Sequence, residues 1–99
     1  MPYFVVIEEQ GPQWAAKRSM QQQQGWTEHA EFMDRLADEH FVVLGGPLGN
    51  YSKHRALLIL DAPSEAILRK KLAEDPWMRT GVLRIVELYS WEILLGKLG

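Results

Sequence analysis

The sequence predicts an α+β domain whose elements run strand, helix, strand, strand, helix, strand. Three observations predict it. Four short stretches rich in β-branched, aliphatic and aromatic residues are bounded by Gly, Pro, Asn and Asp. Two stretches between them repeat apolar residues every three or four positions. Turn-forming clusters join the pieces, with no linker and no internal repeat, so the 99 residues read as one domain spanning 1–99.

Strand one is Tyr3 to Ile7, closed by the turn cluster Glu8-Glu9-Gln10-Gly11-Pro12. Gln13 to Arg18 is an irregular connection carrying Trp14. Ser19 and Gln22 form a Ser-x-x-Gln capping box, which starts helix one, expected over about Met20 to His40. Its apolar stripe is Trp26, Ala30, Met33, Leu36 and Ala37. Gln21 to Gln24 reads as solvated helix surface, and Gly25 weakens the first turns by about 1 kcal/mol relative to alanine. Strand two is Phe41 to Leu44, followed by the turn-rich Gly45 to Asn50. Strand three is Ala56 to Leu60. Helix two begins after Asp61-Ala62-Pro63-Ser64, presents Ile67, Leu68 and Leu72, and ends at Asp75-Pro76, because proline cannot extend the hydrogen-bond ladder. Strand four runs from Leu83 to about Ile93.

The βαββαβ order fits a ferredoxin-like fold, an antiparallel four-stranded sheet with two helices on one face. Strands one to three are apolar at consecutive positions, hence on both faces. In strand four, Val86 and Leu88 point one way, and Leu83, Ile85, Tyr89, Trp91 and Ile93 the other. An open sheet face this apolar is an exposed patch unless a second copy covers it, so a homodimer through that face is expected.

Composition narrows the function. The chain has 46% hydrophobic and 24% charged residues, with 11 basic against 13 acidic side chains and a net charge of −2. No basic face attracts a nucleic acid, and Arg69-Lys70-Lys71 reads as a solvated helix face. There is no cysteine, which excludes disulfides and thiolate chemistry and suits a cytoplasmic setting. The apolar N-terminus lacks a basic flank and meets Glu8-Glu9 at once, so it reads as a strand rather than a signal peptide. No run is long enough to span a membrane.

His29 shares the inward stripe of helix one, four residues before Met33 and seven before Leu36. Two readings stand: a satisfied core histidine, or an acid/base group that titrates near neutral pH. Asp75 is either a turn aspartate bonding nearby backbone or the carboxylate that orients His29. At a helix C-terminus an acid opposes the macrodipole, which speaks against a purely stabilising role. Trp14 and Trp77, both in loops, are candidates to wall a pocket for a flat or apolar ligand. Trp26 reads as core, and Trp91 as core or dimer interface. His40 suits the end of helix one, and His54 reads as surface. The three histidines share no metal-ligand spacing, so no metal is expected. Gly45-Gly46 lacks a phosphate-loop pattern and reads as turn geometry.

Gln24-Gly25-Trp26-Thr27-Glu28-His29-Ala30, Phe41 to Gly49 with its Gly-Gly-Pro, Asp75-Pro76-Trp77 and Trp91 together resemble the YCII-related family. The resemblance covers nearly the whole chain and implies a ferredoxin-like subunit in a dimeric α+β barrel. It implies an active site built on His29 and Asp75, with Gly45, Gly46 and Pro47 lining the same cleft. One branch resembles dehydrochlorinases of chlorinated hydroquinones, and muconolactone isomerases and cofactor-free oxygenases share the barrel more distantly. The implied activity is a cofactor-independent lyase or isomerase, with His29 as general acid/base, Asp75 orienting it, and Trp14 and Trp77 holding a small aromatic or enol-type molecule. The alternatives are a catalytically silent small-molecule binding module and a structural dimer.

Overall fold

The protein is described by a computed structural model covering residues 2–50 and 52–96. Its elements are β1 (Tyr3–Gln10), a 3-10 turn (Met20–Gln22), α1 (Trp26–Asp38), β2 (Val42–Pro47), β3 (Arg55–Asp61), α2 (Glu65–Leu72), α3 (Pro76–Thr80) and β4 (Leu83–Trp91). The strands form one antiparallel sheet in the order β2-β3-β1-β4. This is the ferredoxin-like α+β arrangement, with α3 as an additional short helix.

Alternation along the strands sets the core. Phe4 and Val6 of β1 lie beside Leu60 and Leu58 of β3, and Val6 also faces Leu88 of β4. These residues pack under Phe32 and Leu36 of α1 and Leu68 and Leu72 of α2. Ile67 was expected on that face but is 48% exposed. Leu68 and Leu72 are one turn apart, and Ile67 lies about 100° round the helix from Leu68.

Strand four departs from simple alternation. Ile7 pairs with Glu87 but Glu8 pairs with Ile85, so Val86 is an extra residue in a β-bulge. The bulge turns Leu83 and Ile85 to the helix side, where Leu83 is buried, and leaves Tyr89 and Trp91 on the other. A second irregularity at Val43 places Val42 and Gly45 on the helix side and Leu44 on the open side. Strand four ends at Trp91 rather than Ile93, and β1 and β2 run on through Gln10 and Pro47.

Helix one also differs from its expectation. Gln22 does reach back, its Oε1 accepting from the Ser19 N–H at 3.1 Å. That box closes only one 3-10 turn. The chain then extends at Gln23 and re-enters helix through Gly25, whose φ of 83° suits glycine. Gln23 is buried rather than solvated. Its Oε1 accepts from the Ala15 N–H at 2.7 Å, and its Nε2 donates to the carbonyls of Ala15, Arg18 and Ser19. One side chain thereby pins the irregular connection that carries Trp14.

The far end of α1 closes as a Schellman motif. The N–H of Phe41 donates to Leu36 O and that of His40 to Ala37 O, with His40 at φ 61° where glycine is usual. Among the described residues no helix is long and apolar enough to cross a membrane.

Candidate active site

Asp75-Pro76 ends one helix and starts another. Asp75 caps α3, its Oδ1 accepting from the Trp77 N–H at 2.9 Å, with Pro76 in the first helical position. The sequence alone placed this acid at a helix C-terminus, against the dipole. At the N-terminus of α3 the dipole instead favours its charge.

The same carboxylate meets His29. Nδ1 of His29 lies 2.9 Å from both Oδ1 and Oδ2 of Asp75, across 46 residues of sequence. Asp75 is 1% exposed and His29 8%. An ionised carboxylate only accepts, so the Nδ1 proton is assigned to His29 and donates to Asp75. Nε2 then has no partner among the described residues. The imidazole stacks on the Trp77 indole, with centroids 3.9 Å apart and planes 8° from parallel. Trp77 is itself fixed, its Nε1 donating to Gln24 O at 2.8 Å. Ring rotation is blocked by the carboxylate on one edge and the indole on one face.

His29 opens on a cavity of about 580 Å³ between α1 and the helix-side face of β2, β3 and β1. This volume is typical of small-molecule sites. The expected apolar stripe of α1 is divided by it. Leu36 enters the core, together with Phe32, which the stripe omitted. Trp26, Ala30, Met33 and Ala37 instead wall the cavity. Gly45, Gly46 and Pro47 line the opposite side as part of β2, not as a turn. A Cβ on Gly45 would stand 2.7 Å from Leu58 Cδ2, so glycine keeps that wall thin.

Trp77 lines the cavity while almost wholly buried. Trp14 does not line it. Trp14 stacks on His54 at 4.4 Å and meets the edge of Trp77 at 6.1 Å, so it supports the site from behind. His54, read from sequence as surface, lines the cavity. Burial, and behind it the charge of His29, hold its imidazole below the ordinary value.

Glu8 escaped the sequence reading. It is 2% exposed, lines the cavity, and its Oε2 has no hydrogen-bond partner. Burial, then the charge of Asp75, push its carboxyl up to about 8. The available signal was parity: Glu8 follows Phe4 and Val6 at two-residue steps on the inward face. Its position beside Glu9 and Gln10 made it resemble a turn.

The YCII-related domain family matches residues 1–92. The chain belongs to the YCII-related family. No functionally curated protein matches it. Among solved structures this YCII-related protein is similar to the 5-chloro-2-hydroxyhydroquinone dehydrochlorinase of Burkholderia phenoliruptrix, in complex with 2,5-dihydroxybenzoquinone. That likeness has a TM-score of 0.65 and 17% identity over 91% of this chain and 93% of the other. At that identity it establishes the shared fold.

Proposed function

We propose that this YCII-related protein is a cofactor-independent lyase or isomerase acting on a small aromatic or enol-type substrate. The observation that carries the proposal is the Asp75-held His29, with Nδ1 engaged and Nε2 left for a ligand in the cavity. His29 is the general acid/base. Asp75 orients the ring and offsets the positive charge that develops when Nε2 takes a proton. Trp77 is the shelf that holds the ring plane, and Gly45, Gly46 and Pro47 face the substrate. Trp14 supports the pocket through His54 and Trp77. The dehydrochlorinase with this fold suggests hydroxylated quinones and chlorinated hydroxyhydroquinones as the first compounds to test.

His29→Ala is expected to lower kcat/KM on the best compound of such a panel by about 10²- to 10⁴-fold. Steady-state assays on protein of unchanged circular dichroism check this. Full activity in His29→Ala would sink the reading. A compound that raises Tm yet is recovered unchanged would favour a silent binding module.

The proposed working form is a homodimer in the cytoplasm. Its support is the open sheet face, where Leu44, Tyr89 and Trp91 are exposed beside Val5, Ile7 and Leu57. At one end Glu9 pairs with Arg55 at 3.0 Å and Arg84 at 3.1 Å, leaving an apolar centre with a charged margin. In sedimentation equilibrium the wild type is expected at twice the chain mass and Tyr89→Asp with Trp91→Asp at the chain mass. A wild-type monomer at every concentration would remove the dimer.

A further inference from the structure

We propose that Glu8 acts as a neutral carboxylic acid, donating a hydrogen bond to a carbonyl or enolate oxygen of the substrate whose proton His29 moves. The inference rests on the function proposed above and narrows its substrate class to enolisable carbonyl compounds, such as ketones, enones and the keto forms of polyhydroxylated rings.

The geometry isolates Glu8 among groups that cannot satisfy it. Its cross-strand neighbours are Ala56 on β3 and Ile85 on β4, both aliphatic. The titratable groups around the same cavity are His29 and the exposed Asp34 on α1, His54 before β3, and Asp75 at the start of α3, which reaches it through His29. Asp75 is anionic and already accepts from His29 and Trp77. Arg55 and Arg84 pair with Glu9, which points to the opposite sheet face. A buried polar oxygen without a partner is costly, and proteins retain such groups where a ligand completes them. Here Glu8, whose Oε2 is buried without a partner, lines the cavity. Burial and the Asp75 charge both keep the carboxyl protonated near neutral pH, so it presents an O–H donor.

The two groups divide the chemistry. His29 Nε2 takes a proton from carbon, the C–H electron pair forms the new C=C bond, and the carbonyl π pair moves onto oxygen. The Glu8 O–H hydrogen-bonds to that oxygen and keeps its proton. In a conjugated dienolate the oxyanion pair then re-forms the C=O bond, the C=C pairs shift along the chain, and the distal carbon takes the proton back from His29, so isomerisation consumes nothing further. An ionised Glu8 would repel the developing oxyanion.

The test uses 4-nitrophenolate, whose phenolate oxygen stands in for an enolate, with binding followed by absorbance near neutral pH. Wild type is expected to bind it. Glu8→Gln, which keeps an N–H donor, should bind within about threefold of wild type, and Glu8→Leu about tenfold or more weakly. In the unmodified protein, carbon-13 NMR of the glutamate side chains should show one carboxyl still protonated after the exposed ones have ionised. Absence of such a carboxyl, no wild-type binding, or equal binding by Glu8→Leu would overturn the proposal. Neither readout involves turnover, so a failure to find a reaction would count against the enzyme and not against this donor.

Discussion

Stability is expected to fall as pH rises from about 5 to about 8, and Glu8→Gln should remove most of that fall. The folded-state Glu8 carboxyl is raised from 4.5 to about 8. Below pH 4.5 it is neutral in both folded and unfolded chains, so its burial carries no ionisation penalty. Between the two values the unfolded chain releases the proton and the folded chain holds it. The unfolded state therefore binds fewer protons, and stability declines with pH. The decline is complete once pH passes the folded value. Its full size is on the order of 5 kcal/mol, a large share of the stability of a small domain. Urea unfolding of wild type and Glu8→Gln at pH 5.5, 7 and 8.5 isolates the effect, because other titrating groups act on both proteins. Parallel pH dependences would show that Glu8 ionises normally in the folded chain.

Asp75→Ala should cost the fold about 3 to 5 kcal/mol, whereas Asp75→Asn should cost about 1 kcal/mol. Alanine removes the cap of α3 and leaves two buried donors without an acceptor, the Trp77 N–H and the His29 Nδ1–H. Each orphaned donor carries a penalty of about 1 to 3 kcal/mol, that of the Trp77 N–H being the loss of the cap itself. Asparagine keeps a carbonyl oxygen for both donors but removes the charge. The Asn variant should therefore fold, and any turnover it supports should still drop, because the imidazolium loses its anionic neighbour. It should also bring the Glu8 carboxyl down, since one of the two causes of that shift is gone. Denaturation midpoints for both variants decide the matter. Equal losses for Ala and Asn would mean that the charge, and not the hydrogen bonds, holds this corner together.

Much of the architecture was legible because it follows from local period and punctuation. Val and Ile runs between turn residues marked four strands, and the Leu68–Leu72 step marked the inward side of α2. Boundaries were less legible where one residue serves two structures. Ser19 and Gln22 form a genuine capping box, but only for a 3-10 turn, because Gly25 offers a left-handed break just beyond it. Asp-Pro signals a helix end and a helix start equally well, and only the path of α3 shows that both occur. Gln23 looked like surface because its value lies in three backbone carbonyls and one N–H that no local pattern reveals.

By itself the sequence determined the βαββαβ order, the two-faced apolar strands and the candidates His29, Asp75 and Gly45 to Pro47. These depend on spacing along the chain or on a family resemblance read from contiguous motifs. Tertiary structure decided what depends on closure in space. It brought His29 and Asp75 to 2.9 Å and stacked His29 on Trp77. It moved Trp14 behind the cavity, exposed His54 to it, and used a bulge at Val86 to redirect Leu83 and Ile85. It also buried Glu8 without a partner. The physical reason is common to all of these. A side chain's direction follows from its own strand or helix, but its dielectric surroundings and hydrogen-bond partners are set by elements tens of residues away.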